Sequence, residues 1–184
     1  MNMKEIQIRK AERDDAVLIA TVVVMAIDGT PEQHPFYPIF LELAGREVAQ
    51  YSYRNALVAE VNGVAVGAIV GYDGARLHEL RQPIYPLIRE HLGKEIEIEE
   101  ECSAGEFYLD SVAVLPDYRG QGIGEQLLTT MRDKAFLEGH SRVGLLVDME
   151  NPRAEKLYRS LGFERVNPTT FLGHPMWHLQ VVKK

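Results

Sequence analysis

Apolar and polar positions alternate through Ile6, Ile8 and Lys10, which predicts a short strand. Asp14 and Asp15 precede the apolar run Ala16 to Ala20. This predicts a helix with an acidic first turn, stopped at Gly29-Thr30-Pro31. Phe40, Leu41, Ala44 and Val48 recur at helical spacing, so residues 36–53 read as one or two helices. Ala56 to Val61 and Val64 to Val70 are β-rich and flank Asn62-Gly63, a strong hairpin signal. Asp73 to Gly105 is an atypical stretch with a predicted helix from Pro86 to Leu92. Its acidic run, Glu95, Glu97, Glu99, Glu100 and Glu101, alternates with isoleucine as the solvated face of a strand or helix would. Then follow a strand from Phe107 to Val114, a turn from Leu115 to Tyr118 and a helix from Glu125 to Glu138. A strand from Val143 to Met149, a helix from Pro152 to Ser160 and a β-like piece from Met176 to Val182 close the order.

An early hairpin followed by crossovers indicates an α/β fold in three layers. Its sheet should be mixed and mostly antiparallel, with a local parallel pair and helices on both faces. The 184 residues suit one domain, 1–184. Ile123, Leu127, Leu128, Met131 and Ala135 form a core-facing stripe on the helix that Gly139 ends. Asn151 is a favoured N-cap, Pro152 stands at the first helical position, and Gly162 closes that helix.

The most informative run is Arg119-Gly120-Gln121-Gly122-Ile123-Gly124, between a strand and a helix. A helix start presents free backbone N–H groups at its positive end, and glycine lets a ligand approach them closely. The run lacks the Lys-Ser/Thr of a Walker loop. It also fails the dinucleotide fingerprint: counted from Gly120 the third glycine position holds Glu125, and counted from Gly122 it holds Leu127. Read alone, it could equally be a tight strand–helix turn, although a plain turn needs only one glycine.

Arg119-x-x-Gly122-x-Gly124, preceded by Leu109 to Pro116, resembles the acyl-CoA pyrophosphate loop of the GNAT superfamily of N-acetyltransferases. Asn151-Pro152-Arg153-Ala154-Glu155-Lys156-Leu157-Tyr158-Arg159-Ser160-Leu161-Gly162-Phe163 resembles that family's other signature, Asn-x-x-Ala-x-x-Leu-Tyr-x-x-x-Gly-Phe. The close resemblance covers Phe107 to Val166, with the acetyl-CoA-binding core at about 107–166 and acceptor-side elements at about 28–55 and 73–105.

The resemblance implies acetyl-CoA as co-substrate and no metal. It places the pyrophosphate on Arg119, Gly120, Gln121, Gly122, Ile123 and Gly124, with Arg119 either assisting as a charge or bracing the turn. It sets the pantetheine arm along Val112, Ala113 and Val114, with a backbone N–H near Val112 as oxyanion partner, and lets Asn151 reach that arm. Tyr158 would protonate the departing thiolate; by spacing alone it is equally a core tyrosine. The base is open. Glu106, Tyr108 and Asp110 share one strand face by period two. Asp110 follows Tyr108-Leu109 where polyamine-type members carry an acid. Glu106 and then Asp148 are the alternatives, and each is equally readable as a solvated or salt-bridged carboxylate.

The expected reaction is therefore direct attack of a primary amine, small or cationic, on the thioester. A non-catalytic acyl-CoA-binding module and a protein N-terminal or lysine acetyltransferase are the rival readings; longer acyl chains and O-acceptors also stay open. The acidic run at Glu95 to Glu101 would rim the acceptor side. The net charge of −7 argues against nucleic acid but not against an anionic cofactor held by local backbone dipoles. The single cysteine, Cys102, excludes an internal disulfide and fits a reducing cytoplasm, the expected location. The N-terminal residues lack signal-peptide character, and the apolar run Ala16 to Ile27 is too short to cross a bilayer. His174 and His178 have no matched ligands for zinc. Family members pair through sheet edges, so the resemblance admits a homodimer.

Overall fold

The computed structural model describes residues 5–27 and 30–184. Strands β1 (Ile6–Lys10), β2 (Ala56–Val61), β3 (Val64–Asp73), β4 (Phe107–Val114), β5 (Arg142–Asp148), β6 (Glu164–Phe171) and β7 (His174–Val182) form one sheet in the order β1-β2-β3-β4-β5-β7-β6. Only the central pair, β4 with β5, is parallel. The helices are α1 (Ala16–Ile27), α2 (Tyr37–Ala44), α3 (Leu77–Arg81), α4 (Ile84–Leu92), α5 (Ile123–Leu137) and α6 (Pro152–Ser160).

The three layers follow from alternation along the strands. Val58, Ala68, Val70, Tyr72 and Tyr108 pack with α1 to α4 in one cluster. Leu57, Ala59, Ile69, Phe107, Leu109, Val143 and Leu145 pack with the stripe of α5 in the other. All five stripe residues, Ile123, Leu127, Leu128, Met131 and Ala135, are buried, whereas Leu137 off the stripe is 87% exposed. The predicted hairpin forms at Asn62-Gly63, where both residues have positive φ, 50° and 78°, as a type I′ turn requires.

Several expectations are corrected. Asp14 and Asp15 lie in a 3₁₀ turn (Arg13–Asp15) before α1, with Asp15 clasped by Arg9. The stop expected at Gly29 falls outside the described residues. Residues 36–53 hold one of the one or two helices expected, the eight-residue α2, but Val48 lies beyond it, after the chain turns from Gly45, and is exposed. The helix predicted from Pro86 starts at Ile84, because proline is tolerated in a first turn, and α3 precedes it. Residues 95–101 form no strand or helix; their isoleucines pack on the α1–α4 cluster and their exposed glutamates face solvent. The helix after the glycine loop begins at Ile123, two residues before the predicted start. β6 went unpredicted: seven of its eight residues are exposed, it contains Pro168, and it hangs on the outer edge of β7.

Two bulges matter. Val66 is extra in β3 between the pairs Ala59↔Gly67 and Glu60↔Ala65. Asp110 is extra in β4 between the pairs Gly71↔Leu109 and Val70↔Ser111. The second resets the period of β4. Val112 and Val114 pack with Leu109 against the α5 layer, whereas strict alternation would put them with Tyr108 and Asp110.

Truncating Leu127, which has no exposed surface, should cost about 2–5 kcal/mol in urea denaturation. Leu137→Ala should change stability by less than about 0.5 kcal/mol.

Candidate active site

The glycine run is shaped by what its backbone must do. After β4 the chain makes a 3₁₀ turn, Pro116–Tyr118, and enters α5 through Gly122 as N-cap. Gly120 and Gly122 have φ of 74° and 77°, the left-handed region where a side chain is strained. The first helical hydrogen bond of α5 runs from Gln126 N–H to Gly122 O, 3.1 Å, so the amides of Ile123, Gly124 and Glu125 stand outside the ladder. Gly124 is different: its φ is ordinary, and a Cβ there would meet only Val114 Cγ2, at 4.0 Å. The fold itself therefore does not require glycine at 124. Arg119 braces the turn, its Nε donating to Val114 O at 3.1 Å.

This helix start opens onto a cleft. β4 and β5 pair only at Phe107↔Val143 and Tyr108↔Gly144. Beyond Tyr108 the strands part, and Leu109 to Val114 have no β5 partner, so Val112, Ala113 and Val114 line one wall up to the loop. The C-terminal side of β5 carries α6. Asn151 caps it, its Oδ1 accepting from Ala154 N–H at 3.1 Å. Pro152 follows at the first position, as the spacing predicts. Arg165 fixes α6 to the sheet: its guanidinium donates to both oxygens of Glu155 at 2.6 and 2.8 Å and lies 4.2 Å from the centre of the Trp177 ring. On the next turn of α6, half-buried Tyr158 packs edge-on to Phe163. Burial pushes its phenol up from the ordinary value, and its hydroxyl makes no hydrogen bond among the described residues.

The acidic candidates separate. Half-buried Asp110, on its bulge, accepts from Tyr72 Oη at 2.5 Å, Gln50 Nε2 at 3.0 Å and Ser111 Oγ at 2.8 Å. Behind it Glu101 accepts from Gln50 Nε2 at 2.7 Å and is ion-paired to buried Arg81. Burial raises the Glu101 carboxyl, the charge of Asp110 raises it further, and Arg81 opposes both. Burial, with the charges of Asp110 and Glu101, also holds the Tyr72 and Tyr108 phenols well above their usual range. Arg81 additionally donates to the carbonyls of Ile98 and Glu99, pinning the irregular segment 94–106. Glu99 accepts from Leu172 N–H at the β6–β7 turn.

Glu106 lies apart from this group. It stands just before β4, 4% exposed, and accepts from Gln180 Nε2 at 2.6 Å, with His178 Nε2 at 2.9 Å. Its carboxylate lies over Gly144, where any Cβ would collide with it. Asp148 is likewise occupied, by Glu150 N–H at 2.8 Å and by His174 at 3.4 Å. Gln50, Tyr72, Arg81 and Gln180 escaped sequence reasoning, and Glu101, expected with its acidic run on a solvated face or rim, is buried instead. Only Tyr72 had a local signal, its period-two phase with Ala68 and Val70; the others come from segments that meet only in the folded chain. Among the described residues no group of His, Cys, Asp and Glu is placed to hold a metal ion, and no helix is long and apolar enough to cross a membrane. A cavity of about 600 Å³ lined by Lys10, Leu57, Phe107, Met131 and His140 lies at the far end of α5, remote from the glycine loop.

The family model for the acetyltransferase (GNAT) family matches residues 25–163. An acetyltransferase of Sodalis glossinidius (strain morsitans) is 30% identical over 118 residues, 64% of this chain and 62% of the relative. The chain therefore spans less than two thirds of that relative's length. A crystal structure of an acetyltransferase has 31% identity and a TM-score of 0.79, covering 97% of this chain and all of the other. A putative acetyltransferase from Salmonella typhimurium, solved with its cofactor acetyl-CoA, shares the fold at 19% identity and a TM-score of 0.65, covering 97% of this chain and 94% of that one.

Gly144→Ala should destabilise the protein by about 1–3 kcal/mol in urea, because the added carbon displaces the Glu106 carboxylate. Glu106→Ala in the same chain should recover part of that loss, a coupling that independent sites would not show.

Proposed function

The chain belongs to the GNAT family of acetyltransferases, and from that premise we propose that it is an acetyl-CoA-dependent N-acetyltransferase acting on a primary amine, small or cationic. One observation carries the reading. A helix start with amides outside the ladder, and a glycine at 124 that the fold does not need, faces the point where β4 and β5 part. Arg119, Gly120, Gln121, Gly122, Ile123 and Gly124 would hold the pyrophosphate through backbone amides. Arg119 acts in this reading as the brace of the loop, since its Nε is engaged with Val114 O. Val112, Ala113 and Val114 would pair with the pantetheine arm, and Asn151 would reach it from the cap of α6.

The bound thioester supplies an activated acetyl carbonyl. Asp110 takes the proton of the acceptor amine. Its partly exposed place on the bulge favours it over Glu106, which is buried. A backbone N–H near Val112 steadies the developing oxyanion. Tyr158 gives a proton to the departing thiolate; an unengaged phenol raised by burial suits a donor that keeps its proton until the thiolate forms. The surplus of buried carboxylate around Asp110 and Glu101 favours a cationic acceptor.

Calorimetry should register heat with acetyl-CoA, and its absence at millimolar concentration would sink the reading. Gly124→Val should weaken that binding by about 100-fold or more with Tm kept, because its side chain enters ligand space and not the core. Tyr158→Phe should keep acetyl-CoA affinity and lower turnover with an amine panel by about 10²–10⁴-fold. Unchanged turnover would return Tyr158 to the role of a packing residue.

A further inference from the structure

Helix α6 is tied down at two points, and Tyr158 stands midway between them. The first is Glu155, three residues before Tyr158, which the Arg165 guanidinium of β6 holds at 2.6 and 2.8 Å. The second is Leu161, three residues after Tyr158, where Arg132 Nη1 of α5 donates to Leu161 O at 2.9 Å. Leu161 is the C-cap of α6, so its carbonyl belongs to the helix end whose oxygens lack intrahelical partners. The carbonyls just before it are met from within the turn. Tyr158 O accepts from the N–H groups of Leu161 and Phe163 at 3.0 and 3.2 Å, and Arg159 O accepts from Gly162 N–H at 3.1 Å. Leu161 O is met from another helix.

The Arg132 guanidinium is itself oriented. Its Nε and Nη2 both lie 2.8 Å from Asp133 Oδ1, which leaves Nη1 turned toward α6. The Arg132 side chain is only 21% exposed, so the link is partly shielded from water, unlike an ordinary surface ion pair. A guanidinium placed there also meets the negative end of the α6 dipole.

The two anchors act on different neighbours. Arg165 ties α6 to the outer strand β6. Arg132 ties it to α5, the helix that begins at the glycine loop. Rigid helix runs about 14 Å from Ile123 to Arg132, at about 1.5 Å per residue. The bond therefore fixes α6, and with it the Tyr158 ring, relative to the amides of Ile123, Gly124 and Glu125. Tyr158 Oη makes no hydrogen bond among the described residues that could place it, and its ring rests edge-on to Phe163 with centroids 6.3 Å apart.

We propose that Arg132 is a positioning residue: by capping α6 from α5 it sets the distance from the pyrophosphate site to the Tyr158 hydroxyl, and so to the departing sulfur. This rests on the reading of Tyr158 as the acid. When the C–S bond of the thioester breaks, its electron pair goes to sulfur. The Tyr158 O–H bond breaks, an S–H bond forms, and the phenolate regains a proton from water. A hydroxyl misplaced by about 1 Å loses roughly 100-fold in rate while the carrier stays bound.

Thiol release from acetyl-CoA and calorimetry with acetyl-CoA test this in the full-length wild type, Arg132→Ala, Tyr158→Phe and the double variant. The acceptors are putrescine, lysine and phenethylamine, with water as acceptor where none of them is used. Arg132→Ala should lower kcat about 10- to 100-fold, with acetyl-CoA affinity within about twofold of wild type. In the Tyr158→Phe background the same change should cost less than about twofold, because no acid is left to misplace. A lowered Tm with kcat unchanged would reduce Arg132 to a stabilising contact and overturn the proposal. Equal losses of kcat in both backgrounds would also overturn it, and would leave the acid reading standing. A Tyr158→Phe chain as active as wild type would remove the acid reading itself, and the proposal with it. If Arg132→Ala does not fold, Asp133→Ala, which frees the guanidinium without removing it, is read in its place against the same outcomes.

Discussion

The parallel ladder between β4 and β5 holds two rungs and then stops. Most of what sets this molecule apart from a plain three-layer sandwich follows from that. A sheet that stays paired has no place for a ligand in its middle. One that splits leaves a strand of unpaired peptide groups, and such groups want partners. The split is held open from both sides. On the β4 side, the long β3 ladder and the bulge at Asp110 fix the strand. On the β5 side, β7 pairs along its whole length, and Arg165, gripping Glu155 against Trp177, ties α6 to the neighbouring strands. The glycine loop then delivers the start of α5 to the open end.

Electrostatics divides the cleft into two kinds of chemistry. The loop end offers the amides of Ile123, Gly124 and Glu125, which stand outside the helical ladder. The face toward α1 to α4 gathers Asp110 and Glu101 with Arg81 as the buried guanidinium. In the proposed reading an anionic carrier and a cationic acceptor would meet different parts of one sheet, even though the chain as a whole is acidic. The buried charges also constrain the fold. Arg81 reaches Ile98, Glu99 and Glu101 at once, which explains how a segment without helix or strand, 94–106, is held in place.

Elements with their own local chemistry were legible in the sequence. β4 and α6 begin and end where the turn, N-cap and glycine signals place them. The Asn62-Gly63 hairpin needed only its two residues of positive φ. The stripe on α5 named its buried face correctly. Elements defined by their surroundings were not. β6 buries almost nothing, so no alternation could mark it, and β7 alone supplies its partner. Val48 keeps helical spacing with Ala44, yet the chain leaves the helix at Gly45. The Asp110 bulge breaks period two in a strand whose residues otherwise alternate faithfully, so the face of Val112 and Val114 could not be read by counting. The site divides the same way: its loop and cap are contiguous motifs, while Asp110 and Glu101 find Gln50, Tyr72 and Arg81 on three distant segments.

The outer strand has one more consequence. Sheets accept proline where its nitrogen faces away from the ladder, and β6 carries Pro168 together with a register slip between Arg165 and Asn167. At the opposite border, β1 is only five residues long and ends in two cations, Arg9 and Lys10. Neither border offers a long, flat template for another chain to copy. A sheet split at its middle thus keeps both rims poorly suited to edge-to-edge pairing.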